Sequence, residues 1–219
     1  MKKIIISLSI IAVIASVAVG VTSAYFTDTE TSENNTMAAG TMDLNVNGGD
    51  DAVTTMTLLN KAPGDSGTEP SSGNVILKNT GSLEGELDIV MGIVNNYACT
   101  DPSYGANDGT ENCTTDAGTL GANAKMAPYL DINQDSDYDD GTDVGLKSDG
   151  SIYTSGSLDY GAINNYSGDI WNPVIATMAV NAEYNFVIAW EIPTGAGNEI
   201  QGDALDFDVT FVLEQANND

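Results

Sequence analysis

Side chains able to hold a metal ion are concentrated in one stretch of this 219-residue sequence, residues 131–143, which reads DINQDSDYDDGTD. Asp131, Asn133 and Asp135 take its first, third and fifth places and Asp137 the seventh, the alternation of oxygen donors with which EF-hand-like loops wrap Ca²⁺. Two positions depart from that pattern. Ser136 stands where such a loop uses Gly, and Thr142 stands where it uses a bidentate Glu, so Asp143 has to serve one residue late. The expected chemistry is Ca²⁺ binding through Asp131, Asn133, Asp135, Asp137 and Asp143, in the weak extracellular range of about 10⁻⁴–10⁻³ M. The competing reading of the same stretch is a solvated acidic turn, since acidic residues are common throughout the chain.

The sulfur chemistry is simpler. Cys99 and Cys113 are the two cysteines of the sequence, and in an exported protein an isolated pair is read first as a disulfide. The polar segment between them, TDPSYGANDGTEN, has little to order it otherwise. Closing a loop of about 15 residues contributes roughly 3 kcal/mol in the chain-entropy picture. A metal or catalytic thiol lacks the His or further Cys needed to complete a site.

The sequence contains no His, which removes the usual zinc site, the Ser-His-Asp and Cys-His nucleophile pairs and the commonest general base. All basic residues are lysines, so no guanidinium is present to clamp phosphate or carboxylate. Asp65-Ser66-Gly67 matches the aspartic-protease signature once, where the chemistry needs two carboxylates sharing a proton. The surrounding Pro63-Gly64-Asp65-Ser66-Gly67 reads as a turn by its residue types. A carboxylate-pair glycosidase would need only two acids brought together by folding, and nothing in the sequence marks such a pair. The expectation is that the chain is not an enzyme.

The elements that position these residues begin after an export segment. Met1-Lys2-Lys3 is a short positive start, residues 4–21 are an apolar run interrupted by Ser7, Ser9, Ser16 and Gly20, and Thr22-Ser23-Ala24 supplies the small residues of a cleavage site. Residues 1–24 are therefore read as a helical signal peptide, cleaved after Ala24, with membrane contact limited to the time before cleavage. A retained membrane anchor is the weaker alternative, because no basic stop-transfer cluster follows. The chain carries 32 acidic against 6 basic residues and a formal net charge of −26; losing Lys2 and Lys3 makes it more negative. Such a polyanion is repelled by nucleic acid and by anionic lipid. Cations are its natural counter-species, and high salt would screen its self-repulsion. The triplets at Asn34, Asn112 and Asn165 fit the N-glycosylation acceptor pattern, as suits an exposed, secreted protein.

Beyond the export segment, Gly, Asn and Asp punctuate short runs with a period of two, the pattern of an all-β sandwich or barrel with little helix. Met42, Leu44 and Val46 alternate with polar residues, as do Leu87, Ile89, Met91 and Ile93. Tyr184, Phe186, Ile188, Trp190 and Ile192 form the most apolar run, and Val187 and Ala189 on its other side predict a central strand covered on both faces. Leu205, Phe207, Val209, Phe211 and Leu213 define the cleanest amphipathic strand. A short helix is expected within residues 120–130, before Pro128.

Several blocks resemble one known family. Tyr25-Phe26-Thr27-Asp28, Glu30-Thr31-Ser32 and Ala39-Gly40-Thr41-Met42-Asp43-Leu44 look like the opening pattern of the TasA/camelysin proteins, which include secreted biofilm-fibre subunits and archaeal bundling-pilus subunits. Pro63-Gly64-Asp65-Ser66, Leu77-Lys78-Asn79 with Gly81-Ser82-Leu83, and Gly197-Asn198-Glu199 with Gln201-Gly202-Asp203 and Phe211-Val212-Leu213-Glu214-Gln215 resemble its later blocks. The resemblance implies a jelly-roll β-sandwich over residues 41–219 and an N-terminal donor segment over residues 25–40. Tyr25, Phe26, Thr27, Asp28, Thr29, Glu30 and Thr31 would pair with the sheet of the next subunit. Some members have been described as metalloproteases; without His ligands that activity is not carried over.

Two functions follow as expectations. The first is a structural subunit of an extracellular homopolymeric filament, a pilus or biofilm-matrix fibre, whose partner is another copy of itself, head to tail, with related minor subunits as further partners. The alternative is a monomeric Ca²⁺-binding cell-surface or adhesion module.

Overall fold

The computed structural model describes residues 40–71, 73–99 and 118–215. The signal-peptide helix, the donor residues Tyr25 to Thr31, Asn34, Asn112 and Cys113 lie outside the described residues. Residues 40–219 form one compact unit. Its first strands are β1 (Leu44–Val46), β2 (Val53–Leu59), β3 (Ser66–Glu69), β4 (Val75–Asn79), β5 (Gly85–Met91), β6 (Asn95–Tyr97) and β7 (Lys125–Asp131). There follow β8 (Val144–Leu146), β9 (Ile152–Tyr153), β10 (Gly161–Ala162), β11 (Ile170–Met178), β12 (Glu183–Glu191) and β13 (Ala204–Glu214).

These strands make two antiparallel sheets. One has eight strands in the order β1-β4-β12-β7-β8-β9, with β3 added to β12 and β10 to β7; the other has five in the order β11-β5-β13-β2, with β6 added to β13. From β2 onward the chain changes sheet between β2 and β4, β4 and β5, β5 and β7, β8 and β11, β11 and β12, and β12 and β13, the short β3, β6, β9 and β10 being additions to these strands. The orders β2-β13-β5-β11 and β4-β12-β7-β8, filled in this sequence, are those of a jelly roll. The expected all-β sandwich is therefore the fold.

Alternation explains the core. On β13, Leu205, Phe207, Val209 and Phe211 are buried, and on β5 so are Leu87, Ile89 and Met91. They face Val75, Leu77, Phe186, Ile188, Met126 and Leu130 across the sandwich. The Phe186 and Phe211 rings meet edge to face at 5.2 Å, a favoured aromatic geometry. β12 is central, paired with β3 and β4 on one side and β7 on the other. Its outer residues Val187 and Ala189 are also buried, packed with Tyr129 against Tyr138, Leu158 and Tyr160.

One local expectation is corrected. Ile93 does not continue the inward row of β5; it is 66% exposed. The strand breaks at Gly92, whose N–H bonds to the Asp208 carbonyl at 2.7 Å while its own carbonyl accepts from Gly168; β6 then resumes beside β13. The short helix expected within residues 120–130 is present as Leu120–Asn123, ahead of Pro128, which lies inside β7. Along one side of β7, β10 pairs at Lys125 and Met126 and β8 at Tyr129 and Leu130. On that side Pro128 falls in the gap between them, and on the other its register partner is Ile188 of β12.

Candidate functional site

The described chain opens at a tight anchor for its N-terminal segment. Thr41 N–H donates to Ser82 Oγ at 2.8 Å, and the Thr41 carbonyl accepts from Ser82 and Leu83. The Asp43 carbonyl accepts from Thr80 and Gly81, and its carboxylate takes the Thr80 hydroxyl at 2.8 Å. Asn79, fully buried, braces the turn: its Nδ2 donates to the Leu83 and Met178 carbonyls and its Oδ1 accepts from Gly81 N–H. A Cβ on Gly81 would collide with the Thr41 carbonyl, and one on Gly85 with the Met42 side chain. Sequence blocks far apart, around Gly40 to Leu44 and Leu77 to Leu83, thus converge where residues 25–40 join the sandwich.

The sheet edges differ in how open they are. The eight-stranded sheet ends in β1 and β9, three and two residues long. The five-stranded sheet ends on one side in β11, which contains Pro173 and shifts register twice against β5. On the other side it ends in β2, VTTMTLL, seven residues without charge, proline or glycine. β2 pairs with β13 along its whole length, and among the described residues no strand pairs with its other edge. Val53 and Leu59 on it are 50% and 41% exposed. An edge this long and uncharged is a ready template for another strand. The sequence reading missed it, although the absence of charge and the β-branched Val and Thr residues were visible signals.

The acidic loop joins β7 to β8 at the far side of the eight-stranded sheet. Asp131, the last residue of β7, and Asp143, just before β8, are both fully buried. Asp131 accepts from Gln134 N–H at 2.6 Å and Ser136 N–H at 3.0 Å, with Asn185 Nδ2 at 3.4 Å. Asp143 accepts from Ile132 N–H and Asp139 N–H, both at 2.8 Å. Burial, helped by the charges of Asp131 and Asp139, raises the Asp143 pKa against the lowering effect of those two N–H bonds. Asn133 Nδ2 donates to Asp135 at 3.0 Å and to Asp139 at 2.8 Å, and Asp137 accepts from Tyr138 N–H. Asp131, Asn133, Asp135, Asp137 and Asp143 thus lie in one loop, with the two buried carboxylates turned to backbone N–H groups and Asp135, Asp137 and Asp139 at the rim. A cleft of about 460 Å³ beside them is lined by Asp137, Tyr138, Asp140, Gly156, Ser157 and Leu158. Burial, then the Tyr153 hydroxyl and the charges of Asp140 and Asp143, push the Tyr138 pKa up to about 12.

Ser136 has φ +71°, so it adopts the left-handed turn that an EF-hand-like loop assigns to Gly. An L-residue there costs about 1–2 kcal/mol, part of which Gly returns as chain entropy. Ser136→Gly is expected to stabilise the fold by about 0.5–1 kcal/mol in urea denaturation, and a loss of stability would contradict this account of the loop.

Cys99 is buried and is not a free thiol; its sequence partner Cys113 is outside the described residues. Asn165 is exposed in the 3₁₀ turn Ile163–Tyr166, while Ser167 Oγ of the same triplet accepts from Val94 N–H at 3.1 Å. The turn expected over Pro63 to Gly67 is made at Pro63-Gly64, with Gly64 at φ +94° and the Asp65 carboxylate accepting from Ala62 N–H at 2.8 Å, while Ser66 and Gly67 already belong to β3.

A family model described as camelysin metallo-endopeptidase matches residues 1–136. That span includes the N-terminal anchor and β2, and ends within the acidic loop at Ser136. No curated protein and no solved structure matches the chain.

Proposed function

We propose that this chain, which belongs to the camelysin metallo-endopeptidase family, is a secreted structural subunit that polymerises into an extracellular filament by donating residues 25–40 to the sheet of the next copy. The family, shared with the TasA-like matrix proteins, suggests a secreted structural or biofilm-matrix protein. The observation that carries the finer reading is the β2 edge, a seven-residue uncharged strand that pairs on one side among the described residues. Strand addition would satisfy its free N–H and C=O groups and provide affinity through main-chain hydrogen bonds, with alternate side chains fixing register. The anchor at Thr41 and Asp43 supports the same reading, because it fixes where the donor segment leaves its own subunit. A disulfide between Cys99 and Cys113 belongs to the same reading of an exported subunit, and Cys99 is not a free thiol. The chain's composition favours this role over proteolysis: with no His, the imidazole ligands of the usual catalytic zinc are missing.

The acidic loop supports a second reading, a monomeric Ca²⁺-binding surface module. Asp131 and Asp143 order its two ends and leave Asp135, Asp137 and Asp139 at the rim, where an ion would be met. Electron microscopy of the exported protein separates the two. Filaments are expected, and strictly monomeric protein with an intact mature N-terminus would overturn the first reading and leave the second.

A further inference from the structure

We propose that Glu86, Asp88 and Glu214 form a Ca²⁺ site on the outer face of the five-stranded sheet, separate from the acidic loop on the other sheet. The alternation of β5 puts Leu87 and Ile89 in the core and therefore Glu86 and Asp88 outside; on β13 the buried Phe211 puts Val212 and Glu214 outside. The register sets Glu214 opposite Glu86 and Val212 opposite Asp88, so three carboxylates share one small patch. Like charges directly opposite each other across a strand pair are destabilising.

One atom from each of the three lies within 4.8 Å of the others. Two oxygens bound to the same Ca²⁺ at about 2.4 Å stand no more than about 4.8 Å apart, whereas Mg²⁺, with bonds of about 2.0–2.1 Å, needs a tighter set. No other group of three or more such ligands converges among the described residues.

An acidic cluster alone would be an ordinary solvated surface; Asp88 makes this one different. It is only 5% exposed. Its Oδ2 accepts from Asn172 Nδ2 on β11 at 2.9 Å, while its Oδ1 is buried with no hydrogen-bond partner. A buried carboxylate oxygen left unpaired is costly unless a cation or donor meets it. No cationic side chain of the described residues does so: Lys78 pairs with Glu183, Lys125 with Glu191 and Lys147 with Asp159, and Lys61 stands over the Trp190 ring. The chain has no Arg or His to take their place. The counter-charge therefore comes from solution. A hard, oxygen-seeking divalent ion suits three carboxylates, with water completing the coordination at the half-exposed glutamates.

Calorimetric titration of the exported chain with Ca²⁺ tests this, in a background carrying Asp135→Asn, Asp137→Asn and Asp139→Asn so that the rim of the acidic loop is neutralised. One saturable site per chain is expected to remain, with a Kd of about 10⁻⁴–10⁻³ M. Adding Asp88→Asn, or Glu86→Gln together with Glu214→Gln, is expected to weaken that site at least ten-fold. The glutamate pair sits at half-buried surface positions, so it decides the matter if Asp88→Asn fails to fold. Absence of a saturable site in the background, or a site unchanged by the glutamate substitutions, overturns the assignment.

Discussion

Deleting residues 25–34 from the exported chain is expected to leave a folded subunit that no longer polymerises. The fold should survive because residues 40–219 form a compact unit of their own, and among the described residues the chain entry is held by the bonds at Thr41 and Asp43. Assembly should fail because the deletion removes Tyr25 to Thr31, the residues proposed to add a strand. Past Tyr25 and Phe26 that segment has no apolar side chain until Met37, so its affinity has to come from backbone pairing and one aromatic anchor. Several hydrogen bonds at a net of about 1 kcal/mol each correspond to a loss of about a thousand-fold or more in association. Electron microscopy and sedimentation read the assembly, and circular dichroism reads the fold; normal filaments from the deleted chain would refute strand donation. The acceptor is tested separately by Val53→Glu with Leu59→Glu. Both residues are exposed on β2, so the subunit should fold, but the added charges have the same sign as Asp28 and Glu30 and blunt the edge. Filaments of normal length and number from this variant would place the acceptor elsewhere.

The sequence made some of this structure legible and hid the rest for physical reasons. A strand with one face in the core writes a period of two, and β13 and β12 were readable from their alternation alone. Ile93 looked like the next inward residue after Met91, but alternation cannot announce a break. That break depends on Gly92 meeting Asp208, a contact between strands distant in sequence. Pro128 was legible only as the limit of a short helix, whereas the gap between β10 and β8 beside which it sits inside β7 exists only once both have docked. In the acidic loop, the spacing drew attention to the right stretch, yet it treated all five ligands alike. Burial separates them: Asp131 and Asp143 are interior and bonded to backbone, and Asp135 and Asp137 are at the surface. Glu86, Asp88 and Glu214 carried no local signal, since two come from β5 and one from the last residue of β13.

Asp88 also makes the fold's response to pH specific. In the presence of a chelator, Asp88→Asn is expected to be progressively more stable than the unmutated chain as pH rises from about 4 to about 6, and to keep a constant advantage above that. Burial, reinforced by the charges of Glu214 and Glu86, pushes the folded-state pKa of Asp88 from 3.8 up to about 6. The unfolded chain gives up this proton near the ordinary carboxylate value, so between the two pKa values the folded state holds more protons and stability falls as pH rises. Below about pH 4 both states are protonated and the penalty is absent; above about pH 6 it is complete, at about 2–3 kcal/mol for a shift of roughly two units. The groups facing Asp88 are Glu86 on its own strand, Glu214 on β13 and Asn172 on β11. Asp143 and Asp169 also have raised pKa values through burial and contribute to the overall pH trend, but they are common to both chains and cancel in the difference. Urea denaturation of the two chains across pH 4–7 reads that difference directly. Parallel stability curves would mean that Asp88 ionises in the fold as easily as in the unfolded chain. A divergence that closes on adding Ca²⁺ would show the same carboxylates relieved by the ion they are arranged to hold.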